Sequence, residues 1–257
     1  MRDAQRIILE AVVHSYIQNP HPIGSISLKE SAVSNLSGAT IRNYLRKLVD
    51  EGFLTQIHSS SGRIPTETAL KSFWLATIDC GEECAIDKSK IGEAANLYGI
   101  YAILRENSTN RLVEVTRSKL GRILASFEYG EAALSQSAAI EKLLVEFTGY
   151  DIGDLIAIAQ TNRIDALYNA LCAIETARSE QFNDEALIGF AARRDIDFRR
   201  FYNKSIAINL PSRIYFDMPM MTVAKNVKSG ENHALLLAFG AIDYNFLGFI
   251  NHIKEGE

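Results

Sequence analysis

Within residues 37–63 the chain carries side chains suited to reading the edges of DNA bases. Ala39, Asn43 and Arg46 fall at i, i+4 and i+7, so in a helix they share one face, with Thr40, Arg42 and Lys47 on its flanks. An asparagine amide pairs bidentately with adenine, an arginine guanidinium pairs with guanine, and a small alanine or a threonine methyl meets the thymine methyl. Farther on, His58-Ser59-Ser60-Ser61-Gly62-Arg63 supplies small hydroxyls and an imidazole for phosphate oxygens. Arg63 has the length to reach the backbone or the minor groove. The helix alone better suits an ordinary solvated charged face, because such faces are common. A polar, basic turn directly after it favours nucleic acid.

The elements that would position these groups are also written in the sequence. Ser37 stands where an N-cap hydroxyl meets the free amides of a first turn, which gives it a choice between capping and phosphate contact. Ile41, Leu45 and Leu48 repeat at i, i+4 and i+7 as the apolar face, and Gly52 after Asp50-Glu51 is a natural stop. Phe53, Leu54 and Ile57 resume an apolar strand, and Ile64-Pro65 leads out extended. Upstream, residues 3–18 carry a helical stripe that Asn19-Pro20-His21-Pro22 ends. Ser27 is expected to cap a second helix reaching about Ala32, with a turn at Ser34-Asn35. Three helices and a hairpin make a winged helix-turn-helix, in which the second helix crosses the DNA backbone. Ser25 and Ser27 are then phosphate contacts, although a cap explains Ser27 as well.

Thr66 to Thr77 reads as a further helix with Leu70, Phe73 and Trp74 on its apolar side. The expected organisation is a DNA-binding domain over residues 1–78, a linker over 79–97 and a second domain over 98–257. In that second domain, strands are expected at 99–104, 111–116, 122–129, 204–209, 213–217, 220–224 and 234–241, with helices at 138–148 and 163–178. This order suggests an α/β domain with a largely antiparallel sheet, and an α+β class for the whole chain.

Composition excludes several function classes. The chain has 257 residues, 47% hydrophobic and 23% charged, which is ordinary for a folded globular protein. Net charge is −4, but residues 1–78 hold 8 Lys+Arg against 6 Asp+Glu, and the remainder 19 against 25. The cationic excess therefore sits where phosphate contact is suspected. It is small, so binding should rest on specific contacts made by two copies. The longest uncharged apolar run, Ala234 to Ile242, is far short of a membrane span, and the charged N-terminus has no secretory core. The cytoplasm is the expected location, with no membrane partner. Cys80, Cys84 and Cys172 make no disulfide framework, and the five histidines show no ligand spacing, so neither a metal nor a cofactor is expected.

Asp151-Ile152-Gly153-Asp154 pairs two carboxylates, which suits acid–base work but better suits a loop or helix cap. Arg193-Arg194 and Arg199-Arg200, interleaved with Phe198, Phe201 and Tyr202, suit nucleic acid or an acidic partner, but better suit a solvated helix face over aromatic core. There is no glycine-rich phosphate loop, no G-x-S-x-G and no H-E-x-x-H, so catalysis is not expected.

Taken together and in order, Pro22-Ile23-Gly24-Ser25, Ala39-Thr40-Ile41-Arg42-Asn43, Glu51-Gly52-Phe53-Leu54, His58-x-Ser60-x-Gly62-Arg63 and Ile64-Pro65-Thr66 resemble the signature of the bacterial heat-inducible transcription repressor HrcA family. The resemblance implies a dimeric repressor that binds double-stranded DNA at an inverted-repeat operator, CIRCE, upstream of chaperone operons. It also implies that the GroEL chaperonin keeps the repressor active. For the fold it implies an N-terminal winged helix and a GAF-like domain with a dimerisation segment inserted into it. Here the chain is short for the family, and a reduced insertion is expected at about residues 150–203. The sequence departs from the family pattern at Ile57, Ser61, Ile26 and Ala69-Leu70-Lys71, where members usually carry Pro, Ala, Arg and Gly-Tyr-Arg. Two other readings stay open on sequence: a regulator controlled by a small molecule in its GAF-like domain, and a module whose second domain serves mainly protein contacts.

Overall fold

The computed structural model describes residues 3–31, 36–56, 58, 62–106, 109–194 and 211–256. In chain order the first elements are α1 (Asp3–Gln18), α2 (Ser25–Ser31), α3 (Gly38–Asp50), β1 (Leu54–Thr55), β2 (Ile64–Pro65) and α4 (Glu67–Thr77). A two-residue strand β3 (Cys84–Ala85), a 3-10 turn at Lys88–Lys90, α5 (Ile91–Tyr98) and β4 (Tyr101–Glu106) follow. Next come β5 (Leu112–Arg117), β6 (Ile123–Phe127), β7 (Glu131–Leu134), α6 (Ala138–Glu146), α7 (Ile152–Thr161) and α8 (Asp165–Ala177). The chain closes with β8 (Ser179–Phe182), α9 (Asp184–Arg194), β9 (Arg213–Asp217), β10 (Met220–Ser229), β11 (Asn232–Ala241) and α10 (Phe246–Ile253).

The first three helices pack around Ile8, Val12, Leu28, Ile41, Leu45 and Leu48, all fully buried. The i, i+4, i+7 stripe of α3 is therefore its core face, as its spacing predicts. Strands β1 and β2 form an antiparallel pair, and an isolated bridge between Ile23 and Arg63 ties that pair to the connection between α1 and α2. Helix α2 begins at Ser25, ahead of the expected cap at Ser27. Ser27 lies inside it and donates its hydroxyl to the Gly24 carbonyl at 2.9 Å, so it does not cap the helix. The expected turn at Ser34-Asn35 and strand at 204–209 lie outside the described residues.

Six strands form one sheet in the order β3-β10-β11-β4-β8, with β9 also paired to β10. Every pairing is antiparallel except β3 with β10. One face, through Ala102, Leu104, Met221, Val223 and Leu236, meets α5 and α10, while the other, through Tyr101, Ile103, Leu235 and Leu237, meets Leu187 and Phe190 of α9. Residues 79–97, expected as a linker, are part of this unit. Cys84 and Ala85 pair with Val227 and Lys228, and Ile91, Ala94 and Ala95 of α5 are fully buried. The charged, glycine-containing stretch 79–83 resembles a linker because Lys225 satisfies it from outside, donating its ammonium to the Asp79 and Glu82 carbonyls.

The chain leaves this sheet after β4 and returns in β8, which pairs with β4 itself. The intervening stretch holds the antiparallel sheet β5-β6-β7 and helices α6 to α8 around a separate core of Leu112, Ile123, Phe127, Leu144, Leu155, Leu167 and Leu171. This unit with its own core therefore lies between Glu106 and Ser179, whereas the sequence leads one to expect an inserted segment at about residues 150–203. The strand patterns at 111–129 were expected in the main sheet. Alternation reveals a strand but not its partner, and their buried side chains join a core shared with α6 to α8. Asn110, fully buried, anchors the junction: Tyr129 N donates to its Oδ1 at 2.8 Å, while its Nδ2 donates to Tyr129 O at 3.1 Å and Glu175 Oε1 at 3.3 Å. Arg178 Nη1 pairs with the same Glu175 oxygen at 2.7 Å.

Helix α4 joins the first unit to the sheet unit. Trp74 is fully buried, donates its indole N–H to the Ile242 carbonyl at 2.7 Å and meets Phe246 edge-on at 5.8 Å between ring centroids. A single apolar core consequently runs from α1 through Trp74 to α10.

Candidate nucleic-acid interface

Helix α3 starts as its sequence specifies. Ser37 is extended (φ −68°, ψ 148°), its Oγ accepts from Thr40 N at 3.1 Å, and the Ser37 and Thr40 hydroxyls share a hydrogen bond of 2.8 Å. Both hydroxyls are thus committed to the cap. At the other end Gly52 takes φ +78°, a left-handed conformation that side-chain-bearing residues rarely adopt, and Phe53 N reaches back to the Leu48 carbonyl at 2.9 Å. Buried Gln5 of α1 braces this end, donating Nε2 to Glu51 Oε2 at 2.6 Å.

The outward face of α3 holds Ala39, Arg42, Asn43, Arg46 and Lys47, all exposed, while Thr40 is half-buried. Ala39, Asn43 and Arg46 form a row along the helix, and Arg42 lies beside them. Lys47 Nζ sits 5.8 Å from the Tyr44 ring centroid, on the flank of the row. The positive end of the helix dipole lies at Gly38, so an anion is favoured at the start of the row. This geometry offers donors of fixed spacing on a rigid helix, backed by the fully buried Ile41, Leu45 and Leu48.

The hairpin is held by contacts that spacing alone does not reveal. Ile23 and Arg63 exchange backbone hydrogen bonds at 2.9 and 2.8 Å. A Cβ on Gly62 would lie 2.5–2.7 Å from backbone atoms of Pro22 and Ile23, a separation that real side chains do not reach. The Pro22-Ile23-Gly24-Ser25 and Gly62-Arg63 motifs are therefore two sides of one backbone contact. Thr66 closes the base: its hydroxyl hydrogen-bonds to the Gly52 and Phe53 carbonyls at 2.9 and 3.0 Å while its oxygen caps α4.

Arg63 is half-buried, and its Nε is buried with no hydrogen-bond partner among the described residues. His58 is exposed, and Ser25, the first residue of α2, is half-buried. Ser60 lies outside the described residues, as do Ile57 and Ser61. The structure thus collects Ala39, Arg42, Asn43, Arg46 and Lys47 on one helix face. It sets Ser37 and Thr40 at the start of that helix, and ties Arg63 to the α1–α2 connection.

Residues 151–154 resolve as a cap. Asp151 accepts from Gly153 N and Asn110 N, each at 2.8 Å, and starts α7, leaving neither oxygen of its carboxylate unengaged. Arg193 and Arg194 end α9, and the rest of that basic cluster lies outside the described residues. No helix among the described residues is long and apolar enough to cross a membrane.

Comparison with known proteins agrees with this architecture. Residues 74–257 match the family model of the HrcA C-terminal domain. A heat-inducible transcription repressor HrcA from Helicobacter pylori strain 26695 is 29% identical over 254 residues, covering 97% of this chain and 94% of that one. The repressor of the same name from Protochlamydia amoebophila is 46% identical over 80 residues, 31% of this chain and 21% of its own. A solved structure described as a hypothetical protein at 2.2 Å resolution superposes with a TM-score of 0.51 at 18% identity, covering 98% of this chain and 95% of that one, and shares the fold. The chain belongs to the HrcA family of heat-inducible transcription repressors.

Proposed function

We propose that this chain represses chaperone operons by binding a CIRCE-type inverted repeat as a homodimer, with the GroEL chaperonin holding it in its active form. In this reading α1 to α3 with β1–β2 are a winged helix, and α3 enters the major groove. Asn43 and Arg46 read base edges, Arg42 and Lys47 meet flanking bases or phosphate, and Ala39 packs on a thymine methyl. Arg63, His58, Ser60 and Ser25 meet the backbone, and Ser37 and Thr40 fix the start of the reading helix. The six-stranded sheet with α5, α9 and α10 is a GAF-like domain, and the segment between β4 and β8 is its dimerisation insertion. The work is done on a chromosome, hence in the cytoplasm, and needs no cofactor or catalytic group.

The observation that carries this reading is the exposed row on α3, rigidly backed and followed by a hairpin pinned to the α1–α2 connection. A gel shift on the inverted repeat, with and without chaperonin, tests it. Asn43→Ala should cost about 1–3 kcal/mol of discrimination at one base position. Arg63→Ala should weaken all sequences alike and lower the salt slope by about 1. Equal binding of the folded protein to operator and scrambled DNA would refute the proposal.

A further inference from the structure

A groove of about 940 Å³ runs between α1 and α4, lined by Ile7, Glu10 and His14 of α1 and by Ser72, Phe73 and Ala76 of α4. It uses the exposed stripe of α1, not the Ile8–Val12 stripe that packs into the core with α3. We propose that this groove receives α1 of a second copy, packed antiparallel about a two-fold axis. The inference rests on the DNA-binding reading only in assigning when the contact forms.

The surface is self-complementary, as a two-fold contact requires. Ile7 is 49% exposed at the edge of the groove it lines, so each copy offers both an apolar knob and an apolar slot. Arg6 and Glu10 also line the groove, one helical turn apart, and within a single copy they approach to 3.7 Å with both side chains more than half exposed. A second α1 running antiparallel sets each Arg6 against the other copy's Glu10, whereas a parallel one would set like charge on like. Because the contact uses the side of α1 away from α3, both reading faces remain open. A helix of 16 residues is about 24 Å long. Pairing over that length buries less than the roughly 1,200 Å² at which specific dimers begin. The contact therefore supplements another, and it closes when two copies are held side by side on an inverted repeat.

Two measurements on the full chain test this. In a Cys84→Ser background, Ile7→Cys is treated with a short bismaleimide at high protein concentration, without DNA and on the inverted repeat, with Leu97→Cys on the exposed face of α5 as control. Covalent dimer from Ile7→Cys in both conditions, enriched on the repeat and absent from Leu97→Cys, is expected. No product above the control in either condition would overturn the proposal. In gel shifts Arg6→Glu should weaken binding to the full repeat about tenfold, leave a single half-site unchanged, and be rescued by adding Glu10→Arg. If the single and double variants all bind as the parent does, the second copy is excluded and the groove belongs to another protein's helix or a small apolar ligand. A cross-linked dimer that shifts no operator would keep this contact and remove the DNA-binding reading instead.

Discussion

Trp74→Phe tests whether the first unit and the sheet are one cooperative structure. The indole is fully buried, and its N–H is held 2.7 Å from the Ile242 carbonyl, across 168 residues of sequence. Replacing it with a phenyl ring leaves that carbonyl without its donor in an apolar site, which costs about 1–3 kcal/mol. The smaller ring also leaves a void of roughly 40 Å³, worth about 1 kcal/mol at the usual cavity coefficient. Edge-on contact with Phe246 weakens as well, so a total loss of about 2–4 kcal/mol is expected. Trp74 is the only tryptophan, so unfolding in urea is followed by far-ultraviolet circular dichroism in place of fluorescence. Leu75→Ala, one residue along the same helix but 64% exposed, should stay within about 0.5 kcal/mol of the parent. A Trp74→Phe protein as stable as the Leu75→Ala control would refute the claim that α4 is packed as a shared core element. So would a loss of helix in α1 to α3 well before the sheet in the parent protein.

Two further substitutions test local arguments. Gly62→Ala forces a Cβ to within 2.5 Å of the Pro22 carbonyl carbon, so the hairpin must shift. A loss of about 1–3 kcal/mol in thermal or urea unfolding is expected, together with at least tenfold weaker operator binding, and unchanged binding would show that the hairpin does not touch DNA. Asn110→Ala removes three hydrogen bonds, one of them to the buried Glu175 carboxylate, and should destabilise by about 3–5 kcal/mol. Hydrogen exchange should show the extra opening concentrated at Tyr129 and the ends of β5 and α8. Uniform opening across the chain would contradict its role at the junction.

Helix α3 is legible because three independent signals coincide there: a serine at the cap position, a period of apolar residues and a glycine directly after Asp50-Glu51. Each is local, so each survives in the sequence. The hairpin was legible as composition only. The reason for Gly62 lies forty residues upstream in the Pro22–Ile23 backbone, and no local pattern encodes it. The bounds of the unit between β4 and β8 are hidden from the sequence for a related reason. Strand alternation in β5 and β6 is clear, but pairing partners are a long-range property, and β8 (Ser-Glu-Gln-Phe) has little strand propensity of its own. It is a strand because β4 offers it a ladder of backbone partners from Ala102 to Arg105. Residues 79–97 have a linker's composition because a buried lysine outside the segment, Lys225, satisfies the Asp79 and Glu82 carbonyls, which composition cannot show.

On the proposed reading, the charge distribution favours DNA binding by two copies together. One copy carries Arg42, Arg46 and Lys47 on the exposed face of α3, with Arg63 half-buried at the hairpin. If all four neutralised phosphates, the salt slope for one half-site would be about −3.6, and for two half-sites about −7. The rest of the chain carries 25 acidic against 19 basic residues, which repels the duplex wherever the first unit does not lead. Binding by one copy would then be weak and sensitive to salt, with its phosphate contacts available to any sequence. Two copies joined add their contacts within one event, so occupancy depends on the pairing as steeply as on the base contacts. On that reading, anything that alters how two copies are held, between β4 and β8 or along α1, changes repression without touching α3.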